Sequence, residues 1–92
     1  MPPADMYYPR VASGRPAGVT RLSVEEIEAL RLVDMMGLSH EEAASRMGVS
    51  RKTLWRDLTS ARKRLVEAVV NGWAIQISGG EYRMRGRSDE EW

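Results

Sequence analysis

Residues Gly37 to Leu65 read GLSHEEAASRMGVSRKTLWRDLTSARKRL, and this stretch decides the fold. Ser39 suits a helix N-cap, because its hydroxyl can accept from a free backbone N–H of the first turn. Glu42, three residues on, completes a capping box. Ala43, Ala44 and Met47 then form the inner face of a short helix. Gly48 stands where the chain must turn sharply, and glycine takes a positive φ without a Cβ clash. Val49 plugs the corner, Ser50 is a second N-cap, and a longer helix starts at Arg51. Two helices joined by a short turn containing Gly form the helix-turn-helix pattern.

The longer helix carries most of the information. Leu54, Leu58, Ala61, Leu65 and Ala68 recur at spacings of four, three, four and three, one narrow apolar stripe at helical period. Lys52, Arg56, Thr59 and Lys63 recur on the opposite side, with Arg51, Trp55 and Arg62 between the two faces. Residues 51–64 hold six basic side chains and one acid, Asp57, a net +5, in a chain whose total is only +1. The positive charge is therefore concentrated on one helix, while the acids sit on the helices behind it. Such segregation orients a protein on a polyanion. A helix with a packed back and a cationic front suits the major groove, which is about 12 Å wide and admits one helix.

The run EALRLVDMMGLSHEEAASRMGVSRKTLWRDLTSARKRL, Glu28 to Leu65, resembles a small group of uncharacterised prokaryotic proteins predicted to bind DNA. Their helix-turn-helix is similar to region 4 of sigma factors. The resemblance reaches outward to Pro16-Ala17-Gly18-Val19 and to Val70-Asn71-Gly72, Ile77, Gly79-Gly80 and Tyr82, and so covers roughly Arg15 to Tyr82. It implies DNA binding. Two positions depart from the pattern: Asp57 stands where an apolar residue is expected, and Trp55 where a polar groove-facing residue is more usual.

Outward from this centre, Ser23 opens a first helix with its own capping box to Glu26. Ile27, Leu30, Val33 and Met36 are expected to face the core, widened by Ala29 and Leu32, and Gly37 ends it. Asp34 could pair with a basic residue of a neighbouring helix. Residues 1–21 carry Pro2, Pro3, Pro9 and Pro16 with Gly14 and Gly18, so no helix runs through them. They read as an arm, with Tyr7 and Tyr8 as anchors. Arg10, Arg15 and Arg21 could touch DNA, but a leader without contact is the favoured reading. After Asn71-Gly72, a helix stop, Trp73-Ala74-Ile75-Gln76-Ile77 alternates. Ser78-Gly79-Gly80 turns, and Glu81 to Met84 can return as a β-hairpin. Residues 85–92 read as a mobile tail. The expected fold is mainly α: a three-helix core with the helix-turn-helix over 22–72, and a short C-terminal hairpin over 73–84.

Composition closes off other classes. No apolar run approaches the roughly 18 residues of a membrane span. MPPADMYYPR lacks the charged start and apolar middle of a signal peptide, so the chain reads most simply as cytoplasmic. Zero Cys excludes disulfides and thiolate metal sites. His40, the one histidine, sits beside Glu41 and Glu42 at a helix start, which is poor coordination chemistry, and reads as an exposed non-ligand. There is no paired His and acid, no Gly-rich phosphate loop and no metal spacing, so an enzyme, a cofactor and a small-molecule substrate are not expected.

The expected function is sequence-specific binding of double-stranded DNA, in a transcriptional regulator. The short helix lies across the backbone and the longer one enters the major groove by its N-terminus. Arg51 and Lys52 are the candidates for base edges, and Arg56 reads a base or clamps a phosphate. Trp55 meets a thymine methyl or a sugar, and Thr59 lies on the same face. Ser50 and Thr53 donate to phosphate, as do Arg62 and Lys63 farther along. The apolar residues of the C-terminal hairpin either form a homodimer contact or pack within the monomer. The rival reading is a protein-interaction module using the same helices, with Trp55 as its hot spot.

Overall fold

The computed structural model describes residues 2–78. Among these, three helices and three strands make a mixed α/β unit. Strand β1 is Met6–Tyr7 and β2 is Val19–Ser23. Helix α1, Val24–Leu30, continues into a π-helical turn, Arg31–Met35. Then come α2, His40–Met47; α3, Arg51–Asn71; and β3, Ala74–Ser78.

The helix starts are set by their caps. Ser23 Oγ accepts from Glu26 N at 3.0 Å, while Glu26 Oε1 accepts from Ser23 N at 2.9 Å. Ser39 and Glu42 repeat this reciprocal pair at 3.1 and 3.2 Å. Ser50 Oγ accepts from Thr53 N at 3.0 Å and donates to Thr53 Oγ1 at 3.1 Å. Between α2 and α3, Gly48 takes φ 70° and ψ 32°, the left-handed conformation that the corner demands. Ala29, Leu32, Ala43, Ala44, Met47, Leu54 and Leu58 form the main core, with Leu30, Val33, Leu38 and Val49 packed against it.

Two expected core positions lie elsewhere. Met36 is exposed. In the π turn Met36 N donates to Arg31 O at 2.9 Å, five residues back instead of four. That extra residue rotates the end of the helix by about 100° and carries Met36 out of the stripe. Leu65 is also at the surface, while Leu54, Leu58, Ala61 and Ala68 are buried. Helix α3, at 21 residues, outruns the 8 of α2; beyond that cover it packs on the sheet through Ala68, and Leu65 lies to one side of that contact.

The first strand of the expected hairpin belongs to a three-stranded sheet that the sequence did not suggest. Strand β3 is central, in the order β1-β3-β2. It runs parallel to β2, from Val19 opposite Ala74 to Ser23 opposite Ser78, and antiparallel to β1, with Met6 opposite Gln76 and Tyr7 opposite Ile75. Parallel strands need a long crossover, and here the whole three-helix unit supplies it. Residues 6–7 and 19–21 of the expected arm are therefore sheet, and β2 continues through Leu22 and Ser23 beyond it. Leu22 and Thr20 point inward and are buried. Val24 and Ile77 join the sheet to Ile27 of α1. The returning segment Glu81–Met84 and the tail over 85–92 lie outside the described residues.

Candidate nucleic-acid interface

Among the described residues, nothing covers the outer face of helix α3. Ser50, Arg51, Lys52, Trp55, Arg56, Thr59, Arg62 and Lys63 are exposed, and Thr53 is half-buried. Trp55 is 55% exposed, a large indole left in solvent amid cations. Trp55, Arg56, Thr59 and Lys63 line one shallow groove of about 390 Å³ along the helix, together with Ser60, Arg64 and Glu67. Helical period does not single out Ser60, Arg64 and Glu67, because they lie on the flank of the helix rather than on its outer row. Asp57, the acid in an expected apolar position, is half-buried on the inner edge.

The candidate residues differ in what already holds them. Ser50 and Thr53 are bonded to each other at the start of α3, so their first task is the cap. Arg62 is engaged as well: its Nε and Nη2 donate to Asp34 Oδ2 and Oδ1 at 3.1 and 2.7 Å. This two-pronged pair ties the π turn to α3 and supplies the partner that Asp34 was expected to find. The hydrogen bonds from Arg62 hold the Asp34 carboxyl below its ordinary range; partial burial opposes them, and the charges of Arg62 and His40 assist. Arg64 is exposed but engaged with β2 and α1, donating to Arg21 O at 2.9 Å and lying 3.7 Å from Glu26. Arg51, Lys52, Arg56 and Lys63 carry the outward charge. His40, expected to be exposed, is half-buried.

The N-terminal loop lies at the far end of this surface. Gly18 abuts the Trp73 indole, and Val11 approaches Gly72. A 21-residue helix is about 31 Å long, which separates that loop from Arg51. Arg10 and Arg15 are exposed there.

Residues 3–85 match the family described as protein of unknown function DUF134. The chain belongs to this family. The DUF134 match starts before β1 and runs past β3, so the family unit takes in the sheet as well as the helices. Among curated relatives, a UPF0251 protein of Methanocella arvoryzae is 50% identical over 82 residues, covering 89% of this chain and 49% of the relative. One from Methanosarcina mazei is 52% identical over 81 residues, covering 88% and 48%. A third, from Methanococcus vannielii, is 50% identical over 70 residues, covering 76% and 54%. The chain thus spans about half the length of these relatives. No solved structure matches it. Among the described residues, no helix is long and apolar enough to cross a membrane.

Proposed function

We propose that this chain binds double-stranded DNA in a sequence-specific way, through a helix-turn-helix like that of sigma region 4, and regulates transcription in the prokaryotic cytoplasm. The observation that carries the reading is the outer face of α3, where Lys52, Arg56 and Lys63 stand exposed on one row while Leu54, Leu58 and Ala61 are buried behind them. The first turn, with Arg51 and Lys52, enters the major groove. Arginine there matches guanine O6 and N7 as a two-pronged donor. Arg56 and Lys63 contact phosphates farther along, and α2 crosses the backbone. The N-terminus of α3 adds a positive dipole end to the same place.

Exposed Trp55 favours one second reading, a protein-binding face on the same helix. Selection of bound duplexes from a random pool, then a salt titration, separates the two. DNA recognition yields an enriched sequence whose affinity falls steeply with added salt, by a slope of about 0.9 per phosphate neutralised. Failure to enrich any sequence, with salt-tolerant capture of a protein instead, would overturn the DNA reading.

A further inference from the structure

The outer row of α3 changes character along its length. Lys52, Arg56, Thr59, Lys63, Val66 and Val70 succeed one another at spacings of four, three, four, three and four, so they form one row. Beside it, Trp55, Arg62 and Val69 recur every seven residues. The first three turns of this face are cationic and the last two are valine. Val66, Val69 and Val70 are 58%, 73% and 76% exposed, and Leu65 borders them. Valine is a weak helix former, so helix propensity gives no reason for three of them on a solvent face.

What covers them must suit three features. The patch begins three residues after Lys63, a rise of about 4.5 Å, so its occupant sits beside any duplex that Lys63 touches. An acidic surface would be repelled there; another copy of this chain brings its own +5 stretch to the same polyanion. The seam is also uncharged, so it meets itself in a two-fold contact without conflict. Finally, an apolar groove of about 280 Å³ opens at Val69, between Tyr7, Tyr8, Trp73 and Ile75, with room for a side chain from a facing helix. The sequence after Ser78 suits the patch poorly, with seven charged residues among its fourteen. Strand β3 is no rival interface, since it is paired on both sides and Ile77 is buried.

We propose that a second copy of this chain covers this face, the two α3 helices running parallel and meeting at Val66, Val69 and Val70. Their cationic halves then diverge and straddle one duplex, as forked helices do. The straddling and the charge argument rest on the DNA reading; the uncharged seam and the groove at Val69 support the pairing without it. Two turns of helix make a small interface, so the pair is weak in free solution and strengthened on DNA by effective concentration.

The chain contains no cysteine, which makes the test clean. In a parallel pair, residue 69 faces its own counterpart, so Val69→Cys cross-links to itself under mild oxidation. Ser45→Cys, at an exposed position of α2, serves as the control. The expected result is cross-linking of Val69→Cys roughly tenfold faster than the control, as proximity raises effective concentration. The uncharged Val66→Ser/Val69→Ser variant keeps its helical circular dichroism, loses the dimer in sedimentation and binds selected duplex at least about tenfold more weakly. Equal cross-linking rates, or selected duplex bound one to one with the serine variant unimpaired, overturn the pairing and leave the DNA reading standing. Fast cross-linking by a pair that binds no duplex overturns the straddling and the DNA reading, and leaves the pairing standing.

Discussion

Arg62 and Asp34 show how one side chain can change assignment without moving. By period alone Arg62 belongs with the phosphate-facing cations; in the fold its guanidinium is forked onto a carboxylate 28 residues away. Both side chains are nearly half exposed, so solvent screening limits the pair to about 0.5–1 kcal/mol. Replacing Asp34 with Ala should remove that amount at neutral pH, measured by urea unfolding. Because the folded carboxyl titrates below its ordinary value, the stabilisation is full above the unfolded value. It fades as pH falls through the folded one, so the wild-type and Asp34→Ala curves should converge in acid. On the DNA reading, the same variant frees Arg62 for phosphate and steepens the salt slope by about one. Gly48 gives a second residue-scale test. A Cβ there meets nothing within 4 Å, so Gly48→Ala should cost about 1–2 kcal/mol through backbone strain alone. A crystal structure of the variant should show no displaced neighbour.

At the scale of the element, α3 divides its labour by position. Loss of Arg51 should relax specificity at one base pair and cost ~1–3 kcal/mol for the preferred sequence. Loss of Lys63 should weaken all duplexes alike and flatten the salt slope by about one. Equal effects of both variants on every sequence, in a binding scan, would refute that division. The π turn after α1 has a comparable local logic. Its five-residue hydrogen bond at Met36 turns the end of the helix, and at that end Asp34 meets Arg62. Helical period predicts the wrong side for Met36 because period assumes an unbroken four-residue ladder.

Across the whole molecule, the sheet ties the two ends of the described chain together. Asp5 O accepts from Ile77 N at 2.9 Å, Gly18 O accepts from Ala74 N at 2.9 Å, and Arg21 Nε donates to Gln76 Oε1 at 3.0 Å. A leader without contacts could be removed at no cost. Deletion of residues 1–8 should instead cost about 1–3 kcal/mol, since it strips β1 and leaves polar groups of β3 unpaired. A thermal melt of the truncated chain checks this. Gly18 sits at the same junction, where a Cβ would lie 3.2 Å from the Trp73 indole. The N-terminal strands thereby brace the C-terminal end of α3.

The helices, their three serine caps, the Gly48 corner and most of the α3 core stripe were legible in the chain itself. Each is a relation between residues three or four apart, or a backbone demand at a single position, and needs no distant partner. The exposed cations of α3 come from the same period. The place of β3 between β1 and β2, the engagement of Arg62 by Asp34 and the surface position of Leu65 were decided by tertiary structure. These depend on partners 28 to 70 residues away, or on where a longer helix outruns a shorter one. A strand pattern such as Val19 to Ser23 states that one face is buried, but its partner is chosen only when the three-helix crossover brings Ala74 to Ser78 alongside.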